Sequence, residues 1–275
     1  MTSRIAAEIA GLAVRCAAIA LLLLFAFGGA GIAQQATKPK PRPAVSAQPA
    51  KPNAADSGKC IGVISAIGED LIIKKIGITV FGNEQRTAPI DSWHIDDIVA
   101  NKVSAFLSKS WTVRRITYPK GAFSSLEDNH SLFYNGNDDL LGIVRRVTSS
   151  TRCDHYVVIV KTGHILANSN QSIYGLGILE TNSLLGSTDY IHALFAIKVY
   201  DGQTFAVIGQ QAVFIERRNL LSDFTGPAIH GPYRTVDQSW WPQSDAAQST
   251  KLKDGIRSLV EQALDATMPD ILRVQ

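Results

Sequence analysis

Residues 190–200 alternate strongly, so that Ile191, Ala193, Phe195, Ile197 and Val199 share one face of an extended backbone. Asp201-Gly202 follows as a two-residue type I′ turn signal, and residues 203–215 return, with a kink or bulge expected at Gly209. A long hairpin with one apolar face excludes an all-helical or coiled-coil chain. It requires further strands beside it and an apolar layer over it. The 275 residues, 45% of them hydrophobic, are enough to supply both.

The other elements read off in order. Residues 60–67 (CIGVISAI) and 71–80 (LIIKKIGITV) are apolar, β-branched runs around the turn Gly68-Glu69-Asp70, which predicts a second hairpin. A polar loop runs to Ser92. Ile95, Ile98, Val99, Val103, Phe106 and Leu107 then recur at three and four residues, which predicts an amphipathic helix over 93–108. Asp91 or Ser92 caps it, and Asp96 and Asp97 sit near its positive end. The next strand spans 111–117, and a helix between two strands suggests a parallel crossover. Asp138 or Asp139 caps a second helix carrying Leu140, Leu141, Val144 and Val147, with Arg145 and Arg146 facing out. Residues 154–162 form a strong strand and 172–179 a weaker one. A final helix over 246–268 presents Leu252, Ile256, Leu259, Val260, Ala263 and Leu264, and Pro269 is expected to stop it. The order predicts one α+β domain over 59–275: a mixed, mainly antiparallel sheet with about three helices on one face.

The first 58 residues stand outside this pattern. Cys16 to Phe27 is a run of twelve apolar residues, short for a membrane span but right for a signal-peptide core. Gly31 and Ala33 are small at the spacing of a cleavage site, so residues 1–33 read as a signal peptide cut after Ala33, or as an uncleaved anchor. Residues 34–58 hold five of the eleven prolines, no aromatic residue, and four cations (Lys38, Lys40, Arg42, Lys51) against Asp56. Such a stretch reads as a disordered, semi-rigid linker, either a solubilising tether or a contact for an anionic envelope surface. An exported, periplasmic or secreted location follows.

This element order, from the opening apolar strand to the long hairpin and closing helix, resembles the curli-secretion-channel and TolB amino-terminal fold group. That group also includes periplasmic lipoproteins that activate cell-wall synthases. The resemblance covers about residues 60–268 and implies an envelope assembly or partner-binding module. It carries no functional residue over. The chain departs from the acylated members in having Arg15 before Cys16, where a lipobox wants a small residue.

The formal net charge is +3, and once the six basic and two acidic residues of 1–58 are set aside, 21 basic and 22 acidic remain. Nothing in that balance supports nucleic-acid binding. There is no GxSxG elbow, P-loop, HExxH or CxxC. Gly175-Leu176-Gly177 lacks the third glycine and following helix of a dinucleotide fingerprint. Cys153-Asp154-His155 gathers a nucleophile, an acid and a base, but i, i+2 residues on a strand rarely reach each other. His94 and Asp97 have helical ligand spacing yet are only two groups. Glu127, Asp128, Asp138 and Asp139 are loop acids with no defined pairing. No catalytic residue, metal site or cofactor is therefore expected. In an exported chain Cys60 and Cys153 are candidates for a disulfide, or else are buried thiols.

The long loop over 217–247 carries Phe224, Tyr233, Trp240 and Trp241, with Pro242 after the tryptophans. These four aromatics are the candidate partner-binding residues; the alternative is that they fold back over the sheet. The expected function is a non-enzymatic envelope module that binds an envelope protein partner. The alternatives are a secreted hydrolase with a non-standard site and a periplasmic small-ligand carrier. Membrane contact is expected only through an uncleaved signal or the basic linker.

Overall fold

The structure, a computed structural model, describes residues 59–128, 136–166, 171–184, 186–215, 229–242 and 245–272. The expected signal peptide and linker lie outside the described residues.

Strand β1 (Cys60–Ala66) is buried at all seven positions, as its unbroken apolar run requires. It is an interior strand of a five-stranded sheet, ordered β11-β10-β5-β1-β4, one place in from the edge. Both its neighbours, β4 (Thr112–Arg115) and β5 (His155–Lys161), are parallel to it. Strands β10 (Phe195–Asp201) and β11 (Val207–Ala212) continue that sheet antiparallel. With both edges of β1 taken, β2 (Asp70–Ile76) cannot fold back on it. The expected hairpin between them is therefore absent. Instead, β2 enters a second sheet, ordered β12-β9-β8-β2-β3. There β2 runs parallel to β8 (Leu176–Ser183), while β3 (Glu84–Pro89), β9 (Gly186–Ala193) and β12 (Tyr233–Val236) pair antiparallel. A small ribbon joins β6 (Gly163–Ile165) to β7 (Ser172–Tyr174). Among the described residues, pairing is mainly antiparallel within an α+β fold.

Helix α1 (Ile95–Leu107) buries Ile95, Val99, Val103 and Leu107 at i, i+4 spacing. A short 3-10 turn over Asp91–Trp93 precedes it, and His94 takes the left-handed conformation at its start. A four-residue helix, α2 (Ser125–Asp128), comes next. Helix α3 (Gly136–Val147) buries Leu140, Ile143 and Val144 and exposes Arg145 and Arg146. The last helix, α4 (Thr250–Leu272), buries every residue of the expected apolar stripe. It runs through Pro269 rather than stopping there, since proline near a helix end removes only one backbone bond.

The main core lies where both sheets face α1 and α4. The alternating residues of 190–200 all enter it, as expected. The strand they form is divided, however. After Ala193 it leaves the second sheet, and from Phe195 it belongs to the first, with Leu194 as the crossing. Helix α3 covers the opposite face of the first sheet, packing on Cys60, Ile64, Tyr156, Val158 and Tyr200. The expectation of one sheet with all helices on one face is thus corrected to two sheets, with one helix on the other side. The unbroken apolar runs of β1 and β5 account for this, because both strands have two apolar faces and each needs cover.

Candidate functional site

Around the β10–β11 hairpin the turn is wider than the two residues expected. The Asp201 carboxylate accepts from the backbone N–H groups of Gln203 and Thr204 and from the Thr204 hydroxyl, and Phe205 takes a positive φ of 59°. These hydrogen bonds hold the Asp201 carboxyl below the usual range. Gly202 is required by close approach, since a Cβ there would lie 1.9 Å from the carbonyl oxygen of Cys153. The ladder shifts register between Val199 and Tyr200, beside the bulge expected at Gly209.

Cys60 and Cys153 are joined by a disulfide, with an S–S distance of 2.05 Å and a Cα–Cα distance of 4.8 Å. The pairing follows from the sheet: Cys60 opens β1, and Cys153 lies just before the parallel neighbour β5. Asp154 turns away and accepts from the Cys60 backbone N–H at 2.7 Å. His155 meets Trp111 edge-on at 4.9 Å. The Cys153-Asp154-His155 sequence therefore supplies no free thiol and no dyad.

A cleft of about 900 Å³ opens over this disulfide. Lys59, Arg114, Arg145 and Arg152 line it, against one carboxylate, Asp154. Tyr156 and Phe205 form a stacked pair within it, with ring centroids 5.7 Å apart, and the Arg145 guanidinium lies 5.4 Å from the Phe205 centroid. These cations come from positions far apart in the chain, so no charge run marked them.

The structure places three of the four aromatic candidates. Phe224 lies outside the described residues. Tyr233 opens β12 and packs edge-on to Tyr190 at 6.1 Å. Trp240 closes a 3-10 turn over Gln238–Trp240, and both it and Trp241 are half-buried against the main core. The seat of Trp240 exists because residue 255 is glycine: a Cβ on Gly255 would lie 2.4 Å from Cζ3 of Trp240. The ammonium of Lys251 stands 5.0 Å over the outer face of that ring. The Trp93 indole donates to the Ala247 carbonyl at 2.8 Å and fastens the end of the same segment.

Trp241 also lines a cavity of about 480 Å³ with Lys75 and Glu180. Glu180 pairs with Lys75 at 2.9 Å and stands opposite Asp189 in the β8–β9 ladder. Burial pushes the Glu180 carboxyl up, but Lys75 and Asn182 outweigh it and hold it below the usual range. Burial and the Glu180 charge push Asp189 up, and its buried Oδ1 has no hydrogen-bond partner. This carboxylate pair was not among the candidates, because its members belong to different strands. Of the acids that were candidates, Asp138 and Asp139 are exposed on the first turn of α3, and Glu127 and Asp128 close α2.

His94 and Asp97 are 3.1 Å apart, and Asp97 also receives Arg115, which holds its carboxyl low. Asp96 is taken up by the fold: its carboxylate accepts from the Ser65 hydroxyl and the N–H groups of Ile67 and Gly68. Burial nonetheless pushes it above the usual range. Among the described residues no group of three potential metal ligands occurs, and no helix is long and apolar enough to cross a membrane.

Large apolar side chains reach solvent at one end of the second sheet. Phe81 is 95% exposed, Leu184 91% and Ile78 61%. Ile78 and Phe81 lie between β2 and β3, and Leu184 lies between β8 and β9. Since β2 and β8 are parallel neighbours, both turns emerge at the same end, and Asn182 donates to the Ile76 carbonyl between them at 3.2 Å. Residues 71–80 read as one strand and concealed this turn; the glycines at 77 and 82 around apolar residues were the available signal.

No family model matches this chain, and no curated protein matches it. Among solved structures, it is similar to a protein from Xanthomonas campestris assigned to family model DUF330, with 10% identity and a TM-score of 0.31. That match covers 79% of this chain and 84% of the other. It is also similar to a hypothetical protein from Chlamydia trachomatis, with 8% identity and a TM-score of 0.32, over 79% of this chain and 95% of the other. Both neighbours are bacterial, and likeness at this level carries no argument about function.

Proposed function

We propose that this chain is an exported envelope protein that works without catalysis, by binding another envelope protein. The exposed side chains of Phe81, Leu184 and Ile78 on two adjoining turns carry the reading. Apolar side chains this exposed cost free energy in water, and grouping them on one surface is the mark of an interaction site. The tryptophans hold the 3-10 segment against the core from which that sheet projects. The resemblance to the curli-secretion-channel and TolB amino-terminal fold group favours an assembly role, and the basic linker favours an envelope location.

Crosslinking in intact cells, followed by capture and mass spectrometry, tests the proposal. Phe81→Ser with Leu184→Ser is expected to abolish a specific crosslinked partner while the near-ultraviolet circular dichroism stays unchanged. Trp240→Ala with Trp241→Ala is expected to disturb that spectrum. Retention of every partner by the Phe81/Leu184 variant sinks the assignment of the surface. Amino-terminal sequencing of the purified protein tests export: a mature start at residue 34 is expected.

A second reading, a secreted hydrolase, draws on Glu180 and Asp189. Two facing carboxyls with opposed shifts have the form of an acid–base pair. Turnover in an ester, glycan and peptide panel that Asp189→Asn abolishes without unfolding would favour it over the binding module.

A further inference from the structure

The cleft over the disulfide concentrates charge in a region that is otherwise balanced. Residues 59–275 carry 21 basic and 22 acidic residues, yet the cleft holds four cations and a single carboxylate. None of Lys59, Arg114, Arg145 and Arg152 forms an ion pair with the described residues, and all four are exposed. The one carboxylate is engaged by a backbone N–H.

The fold brings these cations together. Lys59 directly precedes β1 and Arg152 directly precedes Cys153, so the disulfide draws both to one rim. Arg114 comes from β4, alongside β1, and Arg145 from the last turn of α3. Arg145 complements the negative end of α3 and lies near the Phe205 ring, which orients its guanidinium. Like charges at one rim repel each other, and among the described residues of the lining only Asp154 carries an opposite charge.

We propose that this cleft binds a phosphate-bearing anion, presented by a lipid headgroup or as a soluble phosphate. A lone carboxylate has two oxygens and one charge, too few for three guanidinium forks and an ammonium. A phosphate group carries more charge and more acceptor oxygens, and guanidinium forks bind it bidentately. A volume of about 900 Å³ has room for the group together with what it is attached to.

The test uses the full-length protein at 50 mM and 300 mM salt. Probes are inorganic pyrophosphate, phosphatidylglycerol vesicles, phosphatidylcholine vesicles and a deca-glutamate peptide. One variant carries Arg114→Gln, Arg145→Gln and Arg152→Gln. A charge-matched control carries Arg86→Gln, Lys109→Gln and Lys253→Gln at exposed or half-exposed positions away from the cleft. Binding of pyrophosphate or of phosphatidylglycerol vesicles is expected to weaken at least tenfold in the cleft variant, less than twofold in the control, and to fall at high salt. Binding of phosphatidylglycerol vesicles without pyrophosphate identifies a lipid headgroup; binding of pyrophosphate without the vesicles identifies a soluble phosphate. If the triple variant misfolds by circular dichroism, Arg152→Gln alone is expected to weaken binding at least threefold. Failure of both phosphate probes, equal loss in the control, or binding of the acidic peptide alone overturns the proposal. None of these outcomes bears on the crosslinking result at Phe81 and Leu184, so the two readings fail separately.

Discussion

His192 offers a direct measure of how firmly the second sheet excludes water. The side chain is fully buried, one ring nitrogen, Nδ1, bonds the Gly175 carbonyl at 3.1 Å, and Nε2 has no partner. The carbonyl only accepts, so Nδ1 carries the proton and the ring is neutral. Burial lowers the pKa from 6.5 to about 4. A depressed histidine stabilises the fold above its unfolded value and loses that contribution as pH falls toward its folded one. The window is therefore pH 6.5 down to about 4. At about 1.4 kcal/mol per pKa unit, the full loss is roughly 3 kcal/mol. Urea unfolding followed by tryptophan fluorescence at pH 7.5, 6.5, 5.5 and 4.5 measures it. His192→Asn keeps a donor for Gly175 and removes the titration. The variant is expected to start less stable at pH 7.5, because a cavity replaces part of the ring. Its stability is then expected to fall by about 2–3 kcal/mol less than that of the parent between pH 7.5 and 4.5. Parallel pH curves for parent and variant would refute the reasoning, since the other acids titrate in both proteins.

The disulfide closes a loop with a sequence separation of 93 residues, so its reduction is expected to cost about 4–5 kcal/mol on the chain-entropy model. Unfolding with and without reductant, with Cys60→Ala/Cys153→Ala as a reference, measures this. Gly255→Ala places a methyl 2.4 Å from the Trp240 ring and 2.9 Å from Ile191, and is expected to destabilise by about 1–3 kcal/mol and shift the emission of Trp240. Gly142→Ala in α3 meets nothing within 4 Å and is expected to stabilise by about 0.5–1 kcal/mol, read as a higher melting temperature. Asp189→Asn removes a charge that burial and Glu180 disfavour, and is expected to raise stability at pH 7 while leaving it unchanged near pH 3.

Periodicity made the helices and the 190–200 strand legible, because a period of 3.6 or 2.0 is a local property of the chain. The stripes of α1 and α4 and the alternation from Ile191 to Val199 reach the core as written. The edge strand β3 was not legible. Its first four residues, Glu84 to Thr87, are polar, and only Ala88 is buried, so nothing distinguishes it from a loop until β2 pairs with it. The candidate sites were less legible than the fold. A cleft built from positions 59, 114, 145 and 152 leaves no run or spacing to find.

The sequence by itself determined which residues must be buried and in which kind of element. It could not determine which strand pairs with which, since backbone hydrogen bonds are the same for every partner. Only the tertiary structure decided that β1 takes parallel neighbours on both edges, which sends β2 into another sheet. It also decided that Trp240 turns inward, because the space over Gly255 exists only once α4 has packed beneath it. Local preference acts along the chain, whereas pairing, burial of aromatics and clustering of charge depend on groups far apart in it.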